Sequence, residues 1–143
     1  MPTPEPLDTD TAHTHRQRVE HGRSVLDSVN PDIGGRVVEM LEDVSPALGE
    51  QVMLGFSEFY ARPQLGPRDR QLVTISILTA IGGCEPQLEV HVNTALNVGL
   101  SPEQIVEAML HATAYCGFPR AINATAVAAR VFEARGLPPV RNA

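Results

Sequence analysis

One run limits the fold more than any other: Leu72-Val73-Thr74-Ile75-Ser76-Ile77-Leu78-Thr79-Ala80-Ile81. Val73, Ile75 and Ile77 alternate with Thr74 and Ser76, which is the period of a β-strand, and β-branched residues favour that state. Yet no second stretch reads as a strand and no hairpin turn is present. A lone strand leaves its backbone N–H and C=O groups without partners. The run is therefore expected to be a fully buried helix at the centre of the domain, its hydroxyls donating to carbonyls one turn earlier. With the one candidate strand read as helix, the chain is all-α.

The remaining segments carry helix signals. His13 to Val29 is a polar helix with Val19, Leu26 and Val29 as a thin apolar stripe, stopped by Asn30-Pro31. Its His13, His15 and His21 stand among Arg16, Arg18 and Arg23; cationic neighbours repel a metal, so this is read as a solvated face and no metal is expected. Ile33 to Val44 is a short helix with Val37, Val38 and Leu41 inward. Ser45-Pro46 supplies an N-cap hydroxyl and a first-turn proline. The helix beyond it puts Leu48, Val52, Phe56, Phe59 and Tyr60 on one side and ends before Pro63, and Gly49 and Gly55 suggest that another backbone comes close. Ser101-Pro102-Glu103-Gln104 is a capping box, opening a helix with Ile105, Val106, Met109 and Leu110 inward. An alanine-rich helix from Arg120 to Arg135 carries Ala121, Ala124, Ala126, Ala128 and Ala129, a small-residue face suited to a subunit contact.

Length and charge set the outer limits. The 143 residues are expected to form one domain at 13–137, between a disordered, proline-rich tail at 1–12 and a short tail at 138–143. A net charge of −6, no basic block, two Tyr and four Phe argue against nucleic acid as a partner. No apolar run approaches the ~20 residues of a bilayer span and the N-terminus lacks a signal-peptide layout, so no membrane is expected and the location is read as cytoplasmic. Two cysteines, Cys84 and Cys116, are too few for a disulfide framework.

Chemistry concentrates in Gly82-Gly83-Cys84-Glu85-Pro86-Gln87-Leu88-Glu89-Val90-His91. Two glycines break the chain and Pro86 stands in the first turn of a new helix. Cys84, Gln87 and His91, at i, i+3 and i+7, would share one helix face. A thiol, an amide and an imidazole on a face that otherwise buries Leu88, Ala95 and Leu96 read as the floor of a site.

Arg62-Pro63-Gln64-Leu65 with Arg68-Asp69-Arg70, His91 with Ala95-Leu96-Asn97-x-Gly99, and His111-Ala112-x-x-Tyr115-x-Gly117-x-Pro119-x-Ala121 together resemble the carboxymuconolactone decarboxylase family. The resemblance runs from about Arg16 to Gly136. It implies an all-α, compact orthogonal bundle of six or seven helices, alkylhydroperoxidase D-like, assembled as a homotrimer or homohexamer with sites near subunit boundaries. The family's alkylhydroperoxidase D-like members carry Cys-x-x-Cys-x-x-x-His. On this chain that signature falls on Cys84, Gln87 and His91, and Gln87 cannot close a disulfide with Cys84. Cys116 could stand in only within disulfide reach of Cys84. In the decarboxylases the position of Gln87 is commonly glutamate.

The resemblance implies a cofactor-free lyase or isomerase acting on a small carboxylated lactone or related enolisable metabolite. His91 would deliver the proton, Gln87 and Cys84 would flank it, and Arg68, Arg70 or Arg120 would grip carboxylates beside His111 and Tyr115. No glycine-rich phosphate loop or ligand cluster calls for a cofactor. Two other readings stay open: a peroxide-handling thiol protein using Cys84 with or without Cys116, and a non-catalytic binding or assembly subunit.

Overall fold

The computed structural model describes Pro4 and residues 13–141. The expected disordered tail at 1–12 falls, apart from Pro4, outside the described residues. Seven α-helices and one π-helical turn occur among the described residues, with no strand: α1 (His15–Val29), α2 (Ile33–Val44), α3 (Pro46–Gly55), the π turn Phe56–Tyr60, α4 (Pro67–Ile81), α5 (Glu85–Asn97), α6 (Pro102–Cys116) and α7 (Phe118–Ala134). The all-helical reading holds. No described helix is long and apolar enough to cross a membrane. Contacts divide the chain into two compact units, one ending at Pro67 and one beginning at Arg68.

In the first unit the caps do what their residues allow. Thr14, not His13, starts α1, through a capping box with Gln17. Ser45 accepts from the Leu48 N–H to open α3, with Pro46 in its first turn. Leu26, Val38 and Met53 form the core of this unit, flanked by Val19, Val52 and Phe56. Leu48 and Phe59 are exposed, against expectation; for Phe59 the reason is that α3 passes into the π turn at Phe56, and the wider turn shifts the register of the residues beyond it. Ion pairs Arg23–Glu42, at 2.8 Å, and Arg18–Glu58 tie α1 to its neighbours, and His21 Nδ1 shares a 3.0 Å hydrogen bond with the buried Ser57 hydroxyl. His15 pairs with Glu50. These histidines face protein partners.

The second unit is built on α5, α6 and α7. Val92, Ala95, Ile105, Met109 and Ala128 are wholly buried, with Val127, Val131 and Phe132 packed around them. Ala124 and Ala128 are consumed by this core and Ala121 is also buried, while Ala126 and Ala129 are exposed. The small-residue stripe is thus partly intramolecular. Leu110, expected inward, is exposed beside the buried Met109.

α4 is the helix that the missing strand partners required. Thr74, Ser76 and Thr79 hydroxyls donate to the carbonyls of Arg70, Leu72 and Ile75 at 2.8, 2.7 and 2.7 Å. Full burial, however, is corrected: only Gln71, Ile75 and Thr79 are buried, whereas Val73 is 47%, Ile77 52% and Ile81 59% exposed. Positions i, i+4 and i+8 make one stripe, and an apolar run that continues around the helix must leave the rest uncovered.

Candidate functional site

The break between α4 and α5 decides where the thiol goes. Gly82 and Gly83 have φ of 68° and 71°, a left-handed conformation that favours glycine, and the helix restarts at Glu85. Cys84 is therefore the N-cap residue, with φ −130° and ψ 39°, outside the helical register. Its Sγ–H donates to the Leu78 carbonyl at 3.4 Å. The half-buried thiol lines a small niche with Gly82, Thr79, Asn123 and Arg120. The Arg120 side chain lies over Gly82: a Cβ there would meet its Nε and Cγ at 3.3 Å. A thiol and a guanidinium predicted separately thus come together.

His91 and Gln87 are not part of that niche. Gln87 is exposed on α5, and the half-buried His91 turns toward α4, where its Nδ1 lies 3.0 Å from Gln71 Oε1. The three residues follow the i, i+3, i+7 spacing without lining one described cavity, because the first precedes the helix. Gln71 is 1% exposed. Sequence reasoning passed over it; the available signal was its place four residues before Ile75 and eight before Thr79, on the stripe that faces inward. Burial pushes the His91 imidazole down to about 4. Desolvation disfavours the charged form, and the ring is neutral at pH 7.

Arg68 and His111 meet elsewhere, in a groove of about 650 Å³ between α4 and α6, which Asp69, Leu72, Glu103 and Glu107 also line. Arg68 Nε donates to the Gly99 carbonyl at 3.3 Å and its Nη2 to Gln104 Oε1 at 2.5 Å, so part of its fork is engaged by the chain itself. The first-turn backbone N–H of α6 and the Ser101 hydroxyl hold the Glu103 carboxyl below the usual carboxylate range. His111 contacts the exposed Tyr115 in a tilted ring pair, with centroids 5.4 Å apart and planes at 54°. Arg70, half-buried on α4, immediately precedes Gln71. Cys84 and Cys116 are both free thiols.

Three places therefore hold the chemistry: the Cys84–Arg120 niche, the His91–Gln71 pair, and the Arg68–His111 groove. Among the described residues no group of three or more His, Cys, Asp or Glu side chains is arranged to hold a metal ion.

The sequence model of the carboxymuconolactone decarboxylase family matches residues 46–130, which include all three places. The chain is 34% identical over 84 residues to a 4-carboxymuconolactone decarboxylase of Acinetobacter baylyi, a match that covers 59% of this chain and 62% of that one. It is 31% identical over 120 residues to the nitrosuccinic acid decarboxylase npaB of Metarhizium robertsii, covering 79% and 80%. An uncharacterized 15.0 kDa protein of Paracoccus denitrificans is 25% identical over 119 residues, 82% of this chain and 89% of that one. Helical content, motif order and the extent of the family match agree: the chain belongs to the carboxymuconolactone decarboxylase family.

Proposed function

We propose that the protein is a decarboxylase or isomerase-type enzyme that performs cofactor-free acid-base chemistry on a small carboxylated lactone or related enolisable metabolite. The observation that carries the reading is the neutral, half-buried His91, held on one ring nitrogen by buried Gln71. Two relatives named as decarboxylases support the reaction class.

Loss of carbon dioxide from a carboxylate breaks a carbon–carbon bond, and the electron pair passes into a conjugated carbonyl. The resulting enolate carbon then takes a proton, so each turnover consumes one. In this reading an anionic substrate beside His91 offsets the cost of burying a charge and raises the proton affinity of the ring. The ring takes a proton from solvent, gives it to the enolate carbon once the bond has broken, and returns neutral. Gln87, one turn before His91 on α5, donates its amide to the carbonyl sink. Arg70, Arg68 or Arg120 binds the carboxylate, and Arg70 is adjacent in sequence to Gln71.

The chain also assembles as a homotrimer or homohexamer in this reading, supported by exposed Val73, Ile77 and Ile81 on α4 and Phe118 and Ile122 on α7. A peroxide-handling role for Cys84 is the second reading, favoured by the free, half-buried thiol sharing its niche with Arg120. One sample assayed for lactone decarboxylation and for hydroperoxide reduction separates the two. The first reading expects His91→Ala to abolish decarboxylation while Cys84→Ser and Cys116→Ser leave it intact. The opposite pattern, with peroxide turnover lost in Cys84→Ser, selects the thiol.

A further inference from the structure

We infer that Gln71 is a positioning residue for His91: its Oε1 accepts the Nδ1 proton, fixing the ring as the Nδ1–H tautomer and leaving Nε2 as the nitrogen that exchanges a proton with substrate. The inference rests on the proposed acid-base role of His91 and assigns the roles of its two nitrogens.

Three observations carry it. The Nδ1 to Oε1 separation is 3.0 Å, a full hydrogen bond. Gln71 is 1% exposed, so its amide has no bulk water to turn to and its orientation is set by protein. Thr79, on the same inward stripe of α4, donates its hydroxyl to the Ile75 carbonyl and does not compete for the ring. A group buried this deeply keeps one rotamer, which is what fixes the direction of an imidazole that points out of a neighbouring helix.

An amide differs from a carboxylate here in one decisive way. A carboxylate on Nδ1–H would stabilise the imidazolium and hold a proton on the ring between turnovers. An amide sets the same tautomer without adding charge, so the free ring stays neutral with its lone pair on Nε2. The charge that makes imidazolium stable must then come with the substrate. Were the amide reversed, its N–H would donate to Nδ1, and the ring would present an Nε2–H donor in place of a lone pair.

Long-range proton–nitrogen spectra of protein labelled with 15N-histidine read the tautomer directly, with the His91 signal among the five histidines identified by its loss in His91→Ala. At pH 7 the wild-type ring is expected to be protonated at Nδ1 and bare at Nε2. Gln71→Leu should shift it toward the Nε2–H form and lower kcat at least tenfold with KM changed less, and Gln71→Glu should restore the Nδ1–H form. A wild-type ring protonated at Nε2 overturns the inference whatever the activity does, and needs no variant to fold. An unchanged tautomer and kcat in Gln71→Leu overturns it as well. Full activity in His91→Ala, with the wild-type ring found as the Nδ1–H tautomer, sinks the functional reading instead.

Discussion

Gly22 of α1 and Met53 of α3 meet backbone to backbone: a Cβ on Gly22 would fall 1.8 Å from the Met53 carbonyl oxygen. Neither partner can yield cheaply, since the obstacle is main chain within a helix. Gly22→Ala is therefore expected to destabilise the protein by roughly 3 kcal/mol, in spite of the ~1 kcal/mol that alanine gains over glycine in a helix. Gly55, at the end of α3, has nothing within 4 Å of its would-be Cβ, and a right-handed helical φ of −59°. There the propensity term acts alone, and Gly55→Ala should stabilise by about 0.5–1 kcal/mol. Urea unfolding of both variants gives midpoints on opposite sides of wild type; a midpoint for Gly22→Ala at or above wild type would show that α1 and α3 are not in this contact.

These two glycines also show how far the sequence can be read. Gly55 was expected to mark a close approach and does not, whereas Gly22, inside a polar helix, gave no signal. A glycine's role depends on what the fold brings to it. Helix starts were far more legible: Ser45-Pro46, the Ser101–Gln104 box and the Gly82-Gly83 break all specify local backbone geometry, and each helix begins where they place it. The helical state of α4 was legible by elimination. Its orientation was not, because a run apolar on every side does not say which stripe faces in. The same gap hid Gln71: an amide near a helix start is ordinarily solvated, and only its spacing from Ile75 and Thr79 distinguishes it. His91 could be singled out as a candidate, but its environment depends on a residue 20 positions earlier.

Stability should fall with acid through His91. Burial lowers its pKa from 6.5 to about 4, so between these values the unfolded chain binds more protons than the folded one. The contribution is complete above pH 6.5 and is lost as pH falls toward 4, amounting to on the order of 3 kcal/mol. Urea unfolding of wild type and His91→Asn at pH 7 and pH 4.5 isolates the term, since carboxylates titrate alike in both. Wild type should lose more stability than the variant over that interval; equal losses would mean that the ring is solvated and titrates normally.

Assembly through α4 makes a different demand. Ile77 is 52% exposed and stands opposite the buried stripe, so Ile77→Glu should leave the folded chain intact. If that face is the contact between copies, the buried charge breaks it, and the mass measured by analytical ultracentrifugation drops to that of one chain. Ile105→Ala is the complementary variant: Ile105 is fully buried between α6 and its neighbours, and its truncation should cost about 2–5 kcal/mol of chain stability. An unchanged oligomer mass for Ile77→Glu, with helicity retained, would remove α4 from the interface.

The pH dependence of turnover should move when the partner of His91 acquires a charge. In the free wild-type protein the ring becomes protonated only near pH 4, so if imidazolium is the form that delivers the proton, kcat/KM rises as pH falls from neutrality toward that value. Gln71→Glu places a carboxylate 3.0 Å from Nδ1 in place of the amide oxygen. An opposite charge at hydrogen-bond distance favours imidazolium and should raise the ring's pKa by about 1–3 units, even though the buried carboxylate resists its own ionisation. The rising limb of kcat/KM should then begin at correspondingly higher pH, and the His91 titration followed by NMR should shift with it. A shifted titration with an unshifted rate profile would mean that His91 carries its proton without passing it to substrate, because a group that limits proton delivery must move the rate when its affinity for the proton moves.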